Sequence, residues 1–220
     1  VSAFEAMWAD YYALVNTRVP GVRAPLAAGH PFYVLLDLQG SDADADAAAF
    51  ERMLEGAMED GLIVDAAVAA SGKEAESFWK LRDAVAEFPQ MWAPNAAFDV
   101  SLPIGSIGRF ADALRSAILE RWPSAELVNF GHVGDSNLHF SVHLPGVDAA
   151  AFPEAEIDAV AYAIVREFAG SVSAEHGIGI HKKPYLGNSR TPEELALMRT
   201  IKAALDPKGI LNPGRVFDPA

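Results

Sequence analysis

Residues 129–143, NFGHVGDSNLHFSVH, set two apolar runs of strand length, NFGHV and LHFSV, on either side of the four residues Gly134, Asp135, Ser136 and Asn137. A parallel crossover needs a dozen or more residues, so a link this short requires the two strands to pair antiparallel. Working upstream, the first of them follows a helical pattern near 104–121 and the short strand AAFDVSLP (96–103), which reads as a β-α-β unit. A second such unit precedes it: the strand FYVLLDLQG (32–40), an Ala-rich helix at about 43–60 and the strand LIVDAAVAA (62–70). A helix near 73–88 and a Pro-containing loop join the two units. At the N-terminus Phe4, Met7, Trp8, Tyr11, Leu14 and Val15 recur at three- and four-residue spacings, which predicts a helix over 2–16, and a Gly/Pro-rich loop follows at 20–31. Downstream come a helix near 153–169 and the strand-like SVSAEHG (171–177). Alternating strands and helices around one antiparallel link predict an α+β fold. The arrangement expected is ferredoxin-like, of duplicated β-α-β units, with an antiparallel sheet covered by helices on one face.

The C-terminal end has another character. Thr191 can cap a helix with Pro192 at its first position and Glu193 and Glu194 in its first turn; Asp206, Pro207 and Gly209 stop it after Leu205. The remaining GILNPGRVFDPA is turn-rich and extended, as a tail that docks on something. Residues 1–190 are therefore expected to form the main domain and 191–220 a helix with a docking tail.

The chain has 220 residues, enough for one large domain or two small ones, and 51% of them are hydrophobic. With 30 acidic against 17 basic residues its formal net charge is -13, so a phosphate backbone or an anionic membrane is repelled and no nucleic-acid partner is expected. The absence of cysteine removes disulfides, thiolate metal sites and Cys nucleophiles; a cytoplasmic location is the default expectation. No apolar stretch approaches the roughly 20 residues of a transmembrane span. The chain opens on Val1 with neither an initiator Met nor a signal-peptide pattern, which suggests a product with a missing upstream part.

In GHVGDSNLH (131–139), His132 and His139 flank a turn, and AEHGIG (174–179) adds Glu175 and His176 next to two glycines. Two imidazoles and a carboxylate, here His132, His139 and Glu175, can share a Zn²⁺, Mn²⁺ or Fe²⁺ ion and leave positions open for substrate. Hydrogen-bonded structural histidines are the competing reading. Strand parity also opposes joint ligation: His132 is in register with Val128 and Phe130, whereas His139 alternates with Leu138 and Phe140, so a bulge at Gly131 or Gly134 is needed. His143 lies about 13 Å along the strand from His139, too far to share an ion, and His30 and His181 read as loop residues. Arg82, in FWKLRDAV (78–85), can hold a carboxylate bidentately or pair with an acid on the helix surface.

Taken together, FWKLRDAV, FDVSLP (98–103), GHVGDSNLH, AEHGIGIHKKPYL (174–186) and LDPKGILNPGRVF (205–217) resemble the C-terminal domain of the FAD-linked oxidases, a family that includes D-lactate dehydrogenase, the glycolate oxidase FAD subunit and D-2-hydroxyglutarate dehydrogenase. The motifs occur in the family's order and cover essentially the whole chain. The resemblance implies a substrate, or cap, domain of an FAD-dependent D-2-hydroxy-acid dehydrogenase or oxidase. Most of the FAD would be bound by a separate domain with no counterpart here, and the electron acceptor is not encoded in these motifs. It further implies that His132, His139 and Glu175 hold a divalent metal, usually zinc, that His176 is the general base, and that Arg82 clamps the substrate carboxylate. Asn137 would contact substrate and Asn212 would lie near the flavin. In the hydroxyglutarate-specific members a Thr and a Lys add polar contacts at positions occupied here by Ala86 and Ala97, so a less polar 2-hydroxy acid, such as lactate, glycolate or an aliphatic analogue, is expected. A fragment parted from its flavin domain should expose apolar surface and self-associate, for instance as a homodimer. The rival readings are a small metallohydrolase, with His176 activating metal-bound water, and a non-catalytic module whose metal stabilises the hairpin.

Overall fold

Ala3–Trp8 forms a strand, β1, and the helix expected over 2–16 begins only at Ala9, as α1 (Ala9–Arg18). The spacing of Phe4, Met7, Trp8 and Tyr11 suits a helix, but six residues of pairing with β2 (Phe32–Asp37), from Ala3↔Asp37 to Trp8↔Phe32, determine the outcome. The alternation of a strand puts Glu5 and Met7 on one face opposite Leu35 and Tyr33. The computed structural model describes residues 1–218. Its chain divides into two compact units, 1–93 with 128–134, and 94–127 with 135–220.

In the first unit the strands run β2-β1-β4, where β4 is Glu126–Gly131, and both pairings are antiparallel. Met7, Tyr33, Leu35 and Phe130 pack with Tyr11, Tyr12 and Val15 of α1 and with Leu81, Phe88 and Trp92. Tyr12 stacks on Tyr33 with ring centroids 3.5 Å apart, and their hydroxyls donate to the carbonyls of Leu26 and Ala27, which pins the loop read at 20–31. Helix α2 (Ala43–Glu59) is capped by Asp42, whose carboxylate accepts from Ala45 N. Residues 62–70, expected as a strand, are irregular: Leu62, Val64 and Val68 are exposed and pair with no strand, so the first β-α-β unit is not formed as read. Helix α3 (Gly72–Asp83), capped by Ser71, continues through a 3-10 turn at Ala84–Glu87 into α4 (Phe88–Met91), over the span predicted for one helix.

The second unit is built on β3 (Asn95–Ser101) and β5 (Asn137–His143), paired antiparallel from Asn95↔His143 to Ser101↔Asn137. Sequence alternation divides this ladder into two faces. Ala96, Phe98 and Val100 lie with Leu138, Phe140 and Val142 on an apolar face, where Phe98 stacks on Phe140 with centroids 4.4 Å apart. Helices α5 (Ile107–Arg121) and α6 (Glu154–Glu167) bury Phe110, Leu114, Ile118, Ile157 and Val165 at helical spacing, and Phe110 and Tyr162 reach the Phe98–Phe140 stack. Each fully buried side chain of this size contributes about 1.5–3 kcal/mol. The opposite face carries Asp99, Ser101, Asn137, His139 and Ser141. The α+β class, an antiparallel sheet and helices packed on one face of the β3–β5 pair agree with the sequence reading. SVSAEHG is the exception, since it contributes only an isolated bridge, Ser101↔Ser171.

Helix α7 (Pro192–Leu205) starts as predicted, with a capping box between Thr191 and Glu194. Asp206 ends it by accepting from Ile210 N and Leu211 N. The tail then folds back onto its own unit, where Val216 N donates to Gly179 O and Lys183 Nζ reaches Asp218 Oδ1.

Candidate active site

His139 and Asp99 face each other across the β3–β5 ladder, and this pair organises the polar face of the second unit. Asp99 is 1% exposed and accepts from four donor groups: His176 N at 2.9 Å, Glu175 N at 3.2 Å, Ser173 Oγ at 2.9 Å and Lys182 Nζ at 3.1 Å reach its carboxylate, and Lys182 Nζ also reaches its carbonyl at 3.0 Å. Burial acts against the charge, but the His176 N–H, the Lys182 ammonium and the Ser173 hydroxyl outweigh it and hold the carboxyl at about 2. The backbone of Glu175 and His176 is therefore tied to strand β3, and the left-handed Gly177 (φ 79°) and Gly179 (φ 54°) turn the chain away.

This anchoring brings three of the candidate residues together. Glu175 Oε1 lies 3.4 Å from His139 Nε2 and 3.4 Å from His176 Nε2, and the two imidazoles stack at 5.6 Å between centroids. His139 is buried, whereas the His176 side chain is 63% exposed. A cavity of about 290 Å³ is lined by Ser101, Asp135, Asn137, Ser171, Ser173 and Glu175. Asn137, 4% exposed, presents to this neighbourhood a buried Oδ1 with no hydrogen-bond partner among the described residues, an arrangement suited to receiving a ligand donor.

The first unit holds the other candidates. Arg82, at the end of α3, donates from Nε to Glu5 Oε2 at 2.8 Å; one of its Nη atoms lies 2.8 Å from His132 Nε2 and 3.4 Å from His132 Nδ1, and His132 Nδ1 lies 2.5 Å from Glu5 Oε1. Arg82 is thus paired with a buried acid contributed by β1, and also, at 3.6 Å from an Nη, with the exposed Asp83 on its own helix, the surface pairing the sequence allows. The Tyr11 hydroxyl lies 2.5 Å from the Arg82 carbonyl and supports that helix end; burial raises its own ionisation well above the usual phenol range. No bulge is needed for His132. Strand β4 stops at Gly131, a 3-10 turn occupies Val133–Asp135, and Ser136 is left-handed (φ 71°), so His132 stands beyond the strand and is free of its parity.

Asn212 sits in the tail, exposed and left-handed (φ 48°), where its carbonyl accepts from Arg215 N. His143 bonds the Pro94 carbonyl through Nδ1 at the end of β5, and His30 lies in a loop, as expected, where it meets Tyr33 edge-on. The sequence does not single out Glu5, Asp99 or Lys182: Glu5 falls in the span expected to be a helix, and Asp99 and Lys182 stand only as members of the motifs FDVSLP and AEHGIGIHKKPYL.

Residues 1–216 match the family described as FAD linked oxidases, C-terminal domain. The chain is similar to a protein of Xanthomonas citri pv. viticola named D-2-hydroxyglutarate dehydrogenase, 37% identical over 209 residues, which are 94% of this chain and 44% of that protein. It is also similar to mitochondrial proteins of the same name from Arabidopsis thaliana (35% identical over 220 residues, 99% of this chain and 38% of that one) and Rattus norvegicus (37% over 216 residues, 97% and 39%). The chain spans less than half the length of these curated relatives.

Proposed function

This chain belongs to the FAD-linked oxidases through their C-terminal domain, and on that premise we propose that it is the substrate-side part of an FAD-dependent D-2-hydroxy-acid dehydrogenase. The observation that carries the reading is the anchoring of Glu175 and His176 by Asp99 beside His139. Residues 1–190 would form the cap, and 191–220 the helix and tail that dock on the FAD-binding part, with Asn212 near the flavin.

Two imidazoles and a carboxylate, His132, His139 and Glu175, are the proposed ligands of a divalent ion, zinc first, with manganese and iron as the alternatives. The donor set fits. The 3.4 Å between His139 Nε2 and Glu175 Oε1 matches the roughly 3.3 Å between two ligands bound at about 2.0–2.1 Å in a tetrahedral site. When bound, such an ion makes a substrate hydroxyl more acidic and a flavin takes up the hydride. His176, exposed and positioned from its backbone, accepts the hydroxyl proton. Arg82 holds the substrate carboxylate through two guanidinium donors, and Asn137 offers its buried Oδ1 to the substrate hydroxyl or a bound water.

The relatives' names make D-2-hydroxyglutarate the first substrate to test, while Ala86 and Ala97 supply no polar group for a second carboxylate and favour a less polar 2-hydroxy acid. Among the described residues no helix is long and apolar enough to cross a membrane. A cytoplasmic location completes the reading. Anaerobic flavin bleaching by D-2-hydroxyglutarate, D-lactate and glycolate in the full-length protein, with metal content measured in parallel, tests it. Bleaching that His176→Asn slows by two or more orders of magnitude supports the assignment, and wild-type protein unbleached by any 2-hydroxy acid overturns it.

A further inference from the structure

Glu5 stands out on the inner face of β1 because its neighbours across and along the sheet, Leu35, Met7 and Tyr33, are buried and apolar or aromatic. A carboxylate in such a place loses hydration and needs strong partners. Its two oxygens are divided between two residues: Oε2 receives Arg82 Nε at 2.8 Å, and Oε1 lies 2.5 Å from His132 Nδ1. The same His132 ring has its Nε2 2.8 Å from an Arg82 Nη.

These contacts define the proton arrangement. An ionised carboxylate accepts and never donates, so the ring proton lies on Nδ1 and points at Glu5; the Arg82 Nη, 2.8 Å from Nε2 and 3.4 Å from Nδ1, lies against the ring and off the Nε2 lone pair. Nε2 is then the one nitrogen able to ligate a metal. We propose that Glu5 is a positioning residue of the active site, orienting at once the arginine that would hold the substrate carboxylate and the histidine that would hold the metal. The inference rests on the functional reading above. A carboxylate behind a ligating imidazole fixes its tautomer and raises its basicity, and loss of such a partner weakens metal binding roughly 10- to 100-fold. A glutamine at position 5 keeps the shape but retains one acceptor oxygen, so its amide nitrogen must confront either the His132 proton or the Arg82 Nε–H.

The test uses the full-length protein, wild type and Glu5→Gln, with His132→Ala for reference. Zn²⁺ affinity is measured by competition with a chelator, and KM and kcat with the best 2-hydroxy acid. The expected result for Glu5→Gln is a 10- to 100-fold weaker Zn²⁺ affinity together with a KM raised more than kcat is lowered; wild-type values of both overturn the proposal. A second measurement needs no variant at position 5: long-range ¹H–¹⁵N correlation in chelator-treated, ¹⁵N-histidine-labelled wild type, with His132 assigned by His132→Ala, should show the Nδ1–H tautomer, and an Nε2–H tautomer overturns it. Wild type that takes up no Zn²⁺ removes the metal assignment, and the tautomer and KM then decide the role of Glu5 by themselves.

Discussion

The carboxylate of Asp99 receives the backbone N–H of His176 at 2.9 Å. The proposed base is thus placed through its main chain, by a group on a neighbouring strand that is itself fixed by Lys182 and Ser173. This division of labour leaves the imidazole of His176 exposed for proton transfer while its Cα is held from a buried charge.

Replacing Asp99 by Asn should therefore impair both catalysis and stability. The amide can keep one acceptor, but its nitrogen meets donors, and Lys182 loses its counter-ion in a buried setting, where breaking such a pair costs about 3–5 kcal/mol. The expected outcome is a denaturant midpoint lowered by a corresponding amount, with kcat reduced at least tenfold in the fraction that remains folded. Urea titration and steady-state kinetics on the same preparation check it, and an unchanged kcat would show that His176 does not depend on this anchor.

Asp99 also makes a statement about acid. Its folded carboxyl titrates at about 2, below the usual value of 3.8, so its contribution is fully present above the unfolded pKa and disappears as pH falls through the folded one. The difference is worth about 2 kcal/mol. Wild type should lose this increment between about pH 4 and pH 2, whereas Asp99→Asn should show a shallower decline over the same range by urea unfolding.

The elements legible in the sequence are those whose pattern is local. Helices α5, α6 and α7 appear within a few residues of expectation because Phe110, Leu114 and Ile118, or Ile157, Ala161 and Val165, repeat at helical spacing and Thr191 carries a capping signature. Strand β1 was misread because Phe4, Met7 and Trp8 satisfy a helical spacing, and only the partner strand β2, more than 20 residues away, excludes it. Residues 62–70 have the composition of a strand without a partner. The site followed the same division: His139, Glu175 and His176 lie in Gly-punctuated motifs, whereas Glu5 and Arg82 are 77 residues apart and Asp99 and Lys182 are 83 apart, pairings that only the tertiary fold discloses.

Asp158 on α6 should behave in the opposite sense to Asp99. Burial and the nearby Glu154 push its carboxyl up to about 6, only partly offset by His181. A raised folded pKa in an acid means that the native state favours the protonated form: the protein is most stable below the unfolded value of 3.8 and loses stability as pH rises toward 6. Asp158→Asn should therefore stabilise the protein by up to roughly 2 kcal/mol at pH 7.5 and have little effect at pH 4. Thermal unfolding of both proteins at the two pH values checks this, and equal shifts at both would locate the effect elsewhere than in the charge.

The end of α6 offers two adjacent substitutions with opposite expected signs. Ala169 adopts a left-handed backbone (φ 54°) immediately after the helix, a position that glycine fills at lower steric cost, so Ala169→Gly should stabilise by up to about 1 kcal/mol. Gly170 has no positive φ, but a Cβ there would lie 2.7 Å from both Leu102 Cδ2 and the Ser101 carbonyl and 3.0 Å from Val165 Cγ1. The Ser101 carbonyl is the acceptor of Ser171 N in the bridge that leads into Ser173, Glu175 and His176. Gly170→Ala should accordingly cost about 1–3 kcal/mol through overpacking, and it should also displace the segment that carries the proposed base. Urea unfolding gives the two stabilities, and kcat of the full-length enzyme gives the displacement: a Gly170→Ala protein destabilised by that amount yet fully active would mean that the Ser101–Ser171 bridge supports the fold without positioning the site.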